Sequence, residues 1–354
     1  MSNRVEFIDV AKGISIMLVA MFHSPLREYY SEIIDPMSLF RMPLFFFLSG
    51  VFFVWTIAPK EFLVKKSEAL LKPYYSVLLT LWLLNFLMGE PHFLYELKGI
   101  LYGNGDTIEW EPLWFLPHLF VVYGFGYLLL NHSSFIQWSY PKKYLFLILM
   151  FSIGVFSIEL FWYRDVVVMG KSITLPGLPM SLDVLLISSA CFLLGYLAKD
   201  KLLVFNPSTL LFVLAGITFV GIAHFTNASL DLNRRIFEEP IIGALGTVCG
   251  IYIVLSLSWY ISRVKWLAVA PSYFGKASLY ILIFHLFISK ETFSILSDGQ
   301  SDESILLGYA FLSFALSMVI PLIIQRAVIS SDVLSLAFLP FRSNNLVKKV
   351  IVSR

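Results

Sequence analysis

Charged residues are scarce in this 354-residue sequence, where Asp, Glu, Lys and Arg together make up 14% and apolar residues 58%. A soluble chain of this length needs far more charge on its surface, so the composition excludes an ordinary globular domain. The mean hydropathy of +0.79 indicates a polytopic membrane protein instead. The net charge of +2 gives no sign of nucleic-acid binding, and we expect none.

Cysteine is nearly absent as well. Cys191 and Cys249 are the only two, and each lies inside an apolar segment. This pattern suggests neither a disulfide framework nor a metal-ligand pair, so we expect no metal. The first apolar segment also lacks a small-residue cleavage site after it, and we expect it to remain as a membrane helix rather than to act as a signal peptide.

Long apolar runs are abundant. Windows of about 19 residues predict an all-α fold of about ten transmembrane helices, and no separate soluble domain is left over. The predicted spans are residues 7–26, 38–58, 74–88, 113–130, 144–162, 180–198, 209–227, 240–261, 278–293 and 305–326.

Lysine and arginine divide unevenly between the two sides of these spans. The side that carries both termini has 18 of the 26 basic residues, which predicts that both termini are cytoplasmic. We expect one transmembrane domain over residues 1–330 and an amphipathic, basic cytoplasmic tail over 331–354. The longest outer connection, residues 89–112, has room for a short re-entrant or interfacial helix.

The first predicted span, FIDVAKGISIMLVAMFHSPL, carries Asp9, Lys12 and His23. Ionisable groups at membrane depth cost about 3 kcal/mol or more, so an anchor alone does not explain them. At about 100° per residue the three share one face of a helix, with Lys12 and His23 roughly 16 Å apart along its axis. They therefore act at different depths, with Asp9 and Lys12 at the cytoplasmic end and His23 in the outer half, before a kink expected at Pro25.

Two interpretations of these side chains stay open. Asp9 and Lys12 fit an interfacial ion pair as well as a functional pair. His23 fits a polar contact between helices. Imidazole gains and loses a proton near neutral pH, however, and this property favours a functional His23.

Five blocks of sequence, taken in order, carry a family resemblance. They are NRVEFIDVAKGISIMLVAMFHS, FRMPLFFFLSGVFF (40–53), LLKPYY (70–75), LWFLPHLF (113–120) and FGKASLYILIFH (274–285). Together they resemble the acyltransferase type 3 family of membrane proteins, and within it the branch similar to fucose 4-O-acetylases. The most specific feature is a basic residue, ten others and then His, which Lys12 and His23 match.

The resemblance implies transfer of an acyl group, usually acetyl, from cytoplasmic acyl-CoA to a hydroxyl of a glycan or lipid-linked sugar at a bacterial inner membrane. The chemistry fits the residues, because a hydroxyl of high pKa needs a base beside it and a thioester needs no metal. His23 is the expected base, and we place Asp9 with it as a catalytic residue. A direct transfer and a transient acyl-His23 both stay open.

The CoA phosphates need cations at the inner mouth. We expect Lys12 to bind them together with Lys65, Lys66 and Lys72 of the first predicted inner loop. Positive-inside topology explains each of these loop lysines equally well. The family's paired arginines before a proline are reduced here to Lys66 and Ala69, so the phosphate contacts differ from the family pattern.

Acceptor binding is expected from three side chains of the outer half. Arg41 stands where many family members have His, and a fixed cation there suits an acidic sugar or a developing oxyanion. Trp114 fits either an interfacial aromatic belt or a sugar-stacking platform. Arg234 matches an outer-loop arginine of the family, whereas its neighbour Arg235 is interpreted as part of a solvated loop.

Two further residues have a less specific prediction. His285 occupies the family's last histidine position. There it either assists or orients His23 at the acceptor, or forms a polar contact between helices. Ser49 fits close helix packing, or a hydrogen bond to the thioester carbonyl. No role is assigned to His92, His118, His132 and His224.

Two competing functions remain. A proton-coupled transporter or flippase of a glycan precursor would also place His23 and Asp9 within the bilayer. The sequence shows neither a repeat at a fixed spacing nor the paired broken helices expected of inverted-repeat transporters. This absence argues against a transporter without excluding it. A structural scaffold would make no use of His23. Besides the two substrates we expect contact with membrane lipids, and a homo-oligomer stays open.

Overall fold

The computed structural model describes residues 6–89, 92–168 and 171–339. Arg4, which belongs to the first family block, and residues 340–354 of the predicted tail lie outside this part. The protein is 79% helical, as an all-α membrane fold requires. Its α-helices are α1 (Glu6–Phe22), α2 (Leu26–Tyr29), α3 (Ser31–Ile34), α4 (Ser38–Val51), α5 (Pro59–Lys66), α6 (Lys72–Leu87), α7 (Phe93–Tyr102), α8 (Phe115–His132), α9 (Tyr140–Ser157), α10 (Leu185–Leu203), α11 (Thr209–Phe225), α12 (Pro240–Ser262), α13 (Lys265–Lys276), α14 (Ser278–Ser297), α15 (Glu303–Ser330) and α16 (Asp332–Phe338).

A helix occupies each of the ten predicted spans. Within the described residues, seven helical segments are long and apolar enough to cross a bilayer, so the chain is a multi-pass membrane protein. The helices of the other three predicted spans, α1, α9 and α11, have 17, 18 and 17 residues. The count of ten spans and the cytoplasmic termini stay predictions. The seven segments are Ser31–Val51, Pro59–Leu87, Glu111–His132, Pro179–Leu203, Pro240–Ser262, Ser278–Ser297 and Glu303–Ser330.

The stretch with Lys65, Lys66 and Lys72 is helical, so the prediction of a loop conformation is wrong, whereas its position on the inner side stays a prediction. Residues Pro59–Leu87 form one continuous 29-residue helical segment, in which a π-helical turn, Ser67–Leu71, joins α5 to α6. Its sequence EFLVKKSEALLK consists largely of good helix formers, and a proline begins the helix. The short helix expected in residues 89–112 is present as α7.

Two small antiparallel hairpins were not predicted. Strand β1 (Trp162–Val168) pairs with β2 (Lys171–Pro176), and β3 (Ser229–Asp231) pairs with β4 (Ile236–Glu238). β1 is rich in valine, a residue that favours strands, but strands of three to seven residues escape a 19-residue apolar window.

The chain forms two compact units. The first comprises residues up to Val51 together with Gly195–Gln325, and the second comprises Phe52–Leu194 with the residues from Arg326 onward. His23, Arg41, Arg234 and His285 belong to the first unit, and Lys65, Lys66, Lys72 and Trp114 belong to the second.

In the first unit, α1 and α13 approach each other backbone to backbone. A Cβ on Gly13 would lie 1.8 Å from the carbonyl oxygen of Pro271, and one on Gly275 would lie 2.2 Å from that of Asp9. Any side chain at these positions would separate the helices, so the two glycines permit the contact. This packing fixes the helix that leads to His23.

The same unit holds α4 against α12. Pro43 inside α4 has no N–H, so the carbonyl of Leu39, four residues earlier, loses its helical donor. The hydroxyl of Thr247 in α12 lies 2.6 Å from that carbonyl oxygen and replaces the missing donor. A Cβ on Gly250 would lie 2.1 Å from the ring of Phe40. α12 therefore supports the stretch of α4 that carries Arg41.

In the second unit, α6 carries the last described residues of the chain. The Lys72 ammonium donates to the carbonyl of Leu339 at 2.7 Å, and the Ser76 hydroxyl donates to that of Ala337 at 2.9 Å. These bonds tie the end of α16 to α6. The described start of the predicted tail is thus a short helix, whereas its interfacial position stays a prediction.

Candidate active site

His23 follows directly after the last residue of α1. The helix ends at Phe22, and the His23 amide still donates to the Val19 carbonyl at 3.3 Å. The predicted helical span therefore ends earlier than residue 26. The imidazole is half-buried, and its ring forms no hydrogen bond with any described residue. Neither ring nitrogen is therefore committed to a hydrogen bond within the described residues.

His285 of α14 is the imidazole beside it. The two ring centroids lie 5.4 Å apart, and His285 is fully buried. Its Nδ1 lies 2.8 Å from the carbonyl oxygen of Ile281 and 3.1 Å from that of Leu282. Carbonyls only accept hydrogen bonds, so Nδ1 carries the proton and Nε2 keeps a lone pair. Nε2 has no hydrogen-bond partner among the described residues.

An open cavity of about 730 Å³ lies at His23, in the size range of small-molecule sites. Its wall is mostly polar on the side of residues 23–31, with charged groups at Arg27 and Glu28. α14 adds Lys290 and Ser294 to the wall. The volume is large enough for a sugar-sized molecule, and the imidazole of His23 is part of its wall.

Arginines surround the ring of Phe22, which is the neighbour of His23. The Arg41 guanidinium lies 3.5 Å from the ring centroid and that of Arg27 lies 4.1 Å from it. Arg27 also pairs through Nε with Asp35 Oδ1 at 2.6 Å. Arg41, only 5% exposed, forms neither an ion pair nor a hydrogen bond with a described residue. The charges of Arg41 and Arg27 both act on His23.

The hairpin of β3 and β4 corrects one interpretation. Arg235 is 1% exposed and therefore does not belong to a solvated loop, whereas Arg234 is exposed. Asp231 shapes this turn, because its Oδ1 accepts the amide protons of Asn233 at 2.9 Å and Arg234 at 3.0 Å. Arg234 is close enough to His23 for its charge to act on the imidazole.

The remaining first-unit candidates lie along their helices away from His23. Asp9 is buried and Lys12 half-buried, one turn apart on α1. Ser49 is half-buried on α4, about 12 Å along the helix axis from Arg41. No described distance brings any of the three to the imidazole, so their roles stay predictions.

The lysines of the second unit differ in their surroundings. Lys65 pairs with Glu61 at 2.8 Å on the exposed side of α5. Lys66 is half-buried with its ammonium 3.2 Å from the Tyr123 ring centroid, and it directly precedes the π-helical turn. π-Helical turns are frequent at functional sites, so Lys66 is the strongest candidate among the three lysines for a functional role.

Trp114 is 4% exposed, and its ring centroid lies 5.4 Å from that of His118. This burial leaves little of the indole for stacking on a sugar.

The structure also places His118, which had no predicted role. His118 is fully buried, with Nδ1 3.0 Å from the Met180 carbonyl and Nε2 2.8 Å from the Ser188 hydroxyl. Met180 and Ser181 both have positive φ, so this imidazole holds a strained turn. Its apolar neighbours in LWFLPHLF gave no sign of such a network.

These features can be compared with known proteins. A family model described as an acyltransferase domain matches residues 5–326, which is most of the chain. The chain belongs to the acyltransferase type 3 family. No curated protein and no solved structure matches it. The family membership confirms the resemblance drawn from the five sequence blocks and supports acyltransferase activity in general.

For an acyltransferase, the His23 region offers the chemistry that the reaction needs. Attack by a hydroxyl requires a base that can reach its proton and a polar wall that orients the acceptor. An imidazole at a cavity, next to a second imidazole of fixed tautomer, fits the first requirement. Within the described part of the chain, no three His, Cys, Asp or Glu residues are grouped to hold a metal ion.

Proposed function

We propose that this protein is an O-acyltransferase that moves an acyl group, preferably acetyl, from acyl-CoA to a hydroxyl of a glycan or lipid-linked sugar. The observation that carries the proposal is His23, whose imidazole lines a sugar-sized cavity and hydrogen-bonds to no described residue. The donor is cytoplasmic, and the membrane is a bacterial inner membrane.

In the proposed reaction, His23 takes the proton of the acceptor hydroxyl as its oxygen attacks the thioester carbonyl carbon. The carbon–sulfur bond then breaks, and the CoA thiolate receives the proton back from His23. His285 is a positioning residue, because its Nε2 can only accept a hydrogen bond and so favours a His23 that donates one. A buried acceptor of this kind also stabilises the imidazolium that forms.

The donor end of the site is assigned to basic side chains. Lys12 is the phosphate contact on α1, and buried Asp9, three residues earlier, orients its ammonium. Lys65 and Lys66 belong to the other compact unit, so their contact with the CoA phosphates stays a prediction from the sequence alone. The exposed pair of Lys65 with Glu61 would exchange partners at little cost. Lys72 is the weakest candidate, because its ammonium already holds the Leu339 carbonyl.

The test is acceptor-dependent release of CoA thiol by the purified full-length protein in nanodiscs, with acetyl-CoA and a panel of hexoses and hexuronic acids. We expect His23→Ala to lower the rate about 10²- to 10⁴-fold, the usual contribution of a general base. His132→Ala is the matched control, since His132 is an exposed histidine at the end of α8.

An unchanged rate in His23→Ala would overturn the proposal. Mass spectrometry of the surface glycan separates the competing function. Loss of only the acetyl increment in cells with His23→Ala supports acyl transfer, whereas loss of whole sugar units would favour a transporter or flippase.

A further inference from the structure

The Arg41 guanidinium is a buried cation that forms no ion pair with a described residue. Its side chain is 5% exposed, and its Nη1 is completely buried without a hydrogen-bond partner among described residues. Removing a guanidinium from water is expensive unless an anion and hydrogen bonds replace the lost hydration. The ring of Phe22 at 3.5 Å replaces only part of it.

The carboxylates nearest to Arg41 do not fill this gap. Asp35 and Asp231 are the acidic groups whose charges act on Arg41. Asp35 is paired with the Nε of Arg27, and Asp231 accepts two backbone amide protons in its own turn. Neither forms an ion pair with Arg41.

Arg41 does not line the cavity at His23 itself, but it packs on Phe22, which does, and two other cations line the cavity directly. Arg27 uses only its Nε for Asp35, and its Nη groups have no hydrogen bond within the described residues. Lys290 is exposed at the same cavity and pairs with no described carboxylate. Glu28 is the opposing charge on the wall, so the cations outnumber it.

We propose that the acceptor is anionic, and that Arg41 and Arg27 bind its carboxylate or phosphate group while one of its hydroxyls meets His23. Both guanidinium groups contact Phe22, whose ring centroid is 5.1 Å from that of His23. Phe22 therefore places both guanidinium groups in the neighbourhood of the imidazole. The substrate class is a sugar acid or a sugar phosphate, and this assignment rests on the proposed acyltransferase function.

The first experiment measures binding without turnover. The melting temperature of the full-length protein in detergent is measured in the presence of glucuronate, glucose 1-phosphate or glucose, at matched ionic strength. We expect at least one anionic sugar to raise the melting temperature and glucose to leave it unchanged. Arg41→Gln should lose this shift with little change in its own melting temperature, because the guanidinium has no ion pair or hydrogen bond with a described residue to lose, only its contact with the Phe22 ring.

Arg263→Gln is the matched control. Arg263 also lies over an aromatic ring, that of Trp259 at 4.3 Å, but it is exposed and does not line the cavity at His23. It should keep the full ligand shift. Comparison of the shifts with glucuronate and with glucose 1-phosphate distinguishes an acceptor that carries a carboxylate from one that carries a phosphate.

The second experiment follows CoA release on anionic and neutral acceptors. Arg41→Gln should reduce the preference for the anionic acceptor about 10-fold or more, as expected for a lost charged hydrogen bond. Turnover with equal preference in both proteins would overturn this inference and leave the acyltransferase proposal intact. Arg41-dependent anion binding without thioester turnover on any acceptor would overturn the proposed function, and with it the acceptor assignment.

Discussion

The tautomer of His285 makes a sharp prediction, because asparagine and glutamine reproduce different halves of its imidazole. The Nδ1–H donates within its own helix, to the carbonyls of Ile281 and Leu282, whereas Nε2 keeps a lone pair. An asparagine amide reaches the position of Nδ1, and a glutamine carbonyl reaches that of Nε2. His285→Asn therefore keeps the helix contact and removes the acceptor, whereas His285→Gln does the reverse.

The size of the effect follows from what Nε2 is proposed to do. A separation of 5.4 Å between ring centroids is compatible with a hydrogen bond to Nε2 once a ring nitrogen of His23 turns towards it. A hydrogen bond to the charged imidazolium contributes about 1.5–3 kcal/mol, which corresponds to roughly 10- to 150-fold in rate. We expect kcat to fall by this factor in His285→Asn and to stay within about tenfold of the unmodified protein in His285→Gln.

The assay is the initial rate of acceptor-dependent CoA release, with kcat and KM determined separately. Melting temperatures of both variants show whether either is unfolded. If His285 only joins parts of its own helix, asparagine will preserve activity and glutamine will lose it together with stability. That outcome would refute the role assigned to Nε2.

Two further predictions concern the packing that positions the site. Thr247→Val removes the hydroxyl that serves the freed carbonyl of Leu39, so the unfolding free energy should fall by about 1–3 kcal/mol, read as a lower melting temperature in detergent. Gly275→Ala places a Cβ 2.2 Å from the Asp9 carbonyl oxygen and should cost about 1–3 kcal/mol and reduce CoA release. Gly308→Ala, at a position with open space, should do neither.

Much of the fold follows from the long apolar runs of the sequence, because a bilayer tolerates few alternatives to helices. Helices stand at all ten predicted positions, and the short helix in residues 89–112 is confirmed. The prediction of a loop before residue 74 was wrong, because the many charged residues there were interpreted as a sign of a loop. Lysine favours helices, however, and its long stem lets the charge leave an apolar face.

The site was only partly predictable for a different reason. The spacing of Lys12 and His23 pointed to the first helix, but no sequence pattern decides which of two adjacent arginines in a turn is buried. Arg235 and Arg234 differ because the turn that begins at Asp231 directs successive side chains to opposite environments. The contacts of His118 with Met180 and Ser188 escaped detection likewise, since they join residues about 60 to 70 positions apart.

The polar groups around His23 share one structural property that bears on their function. His285 satisfies its Nδ1 within its own helix, and α4 recovers the carbonyl freed by Pro43 through Thr247. Neither arrangement uses Nε2 of His285 or the guanidinium of Arg41. In an apolar fold, a polar atom that no structural need accounts for costs free energy in the unliganded protein. We propose that these two atoms persist because the reaction uses them: Nε2 of His285 accepts a hydrogen bond from His23, and the Arg41 guanidinium binds the anionic group of the acceptor.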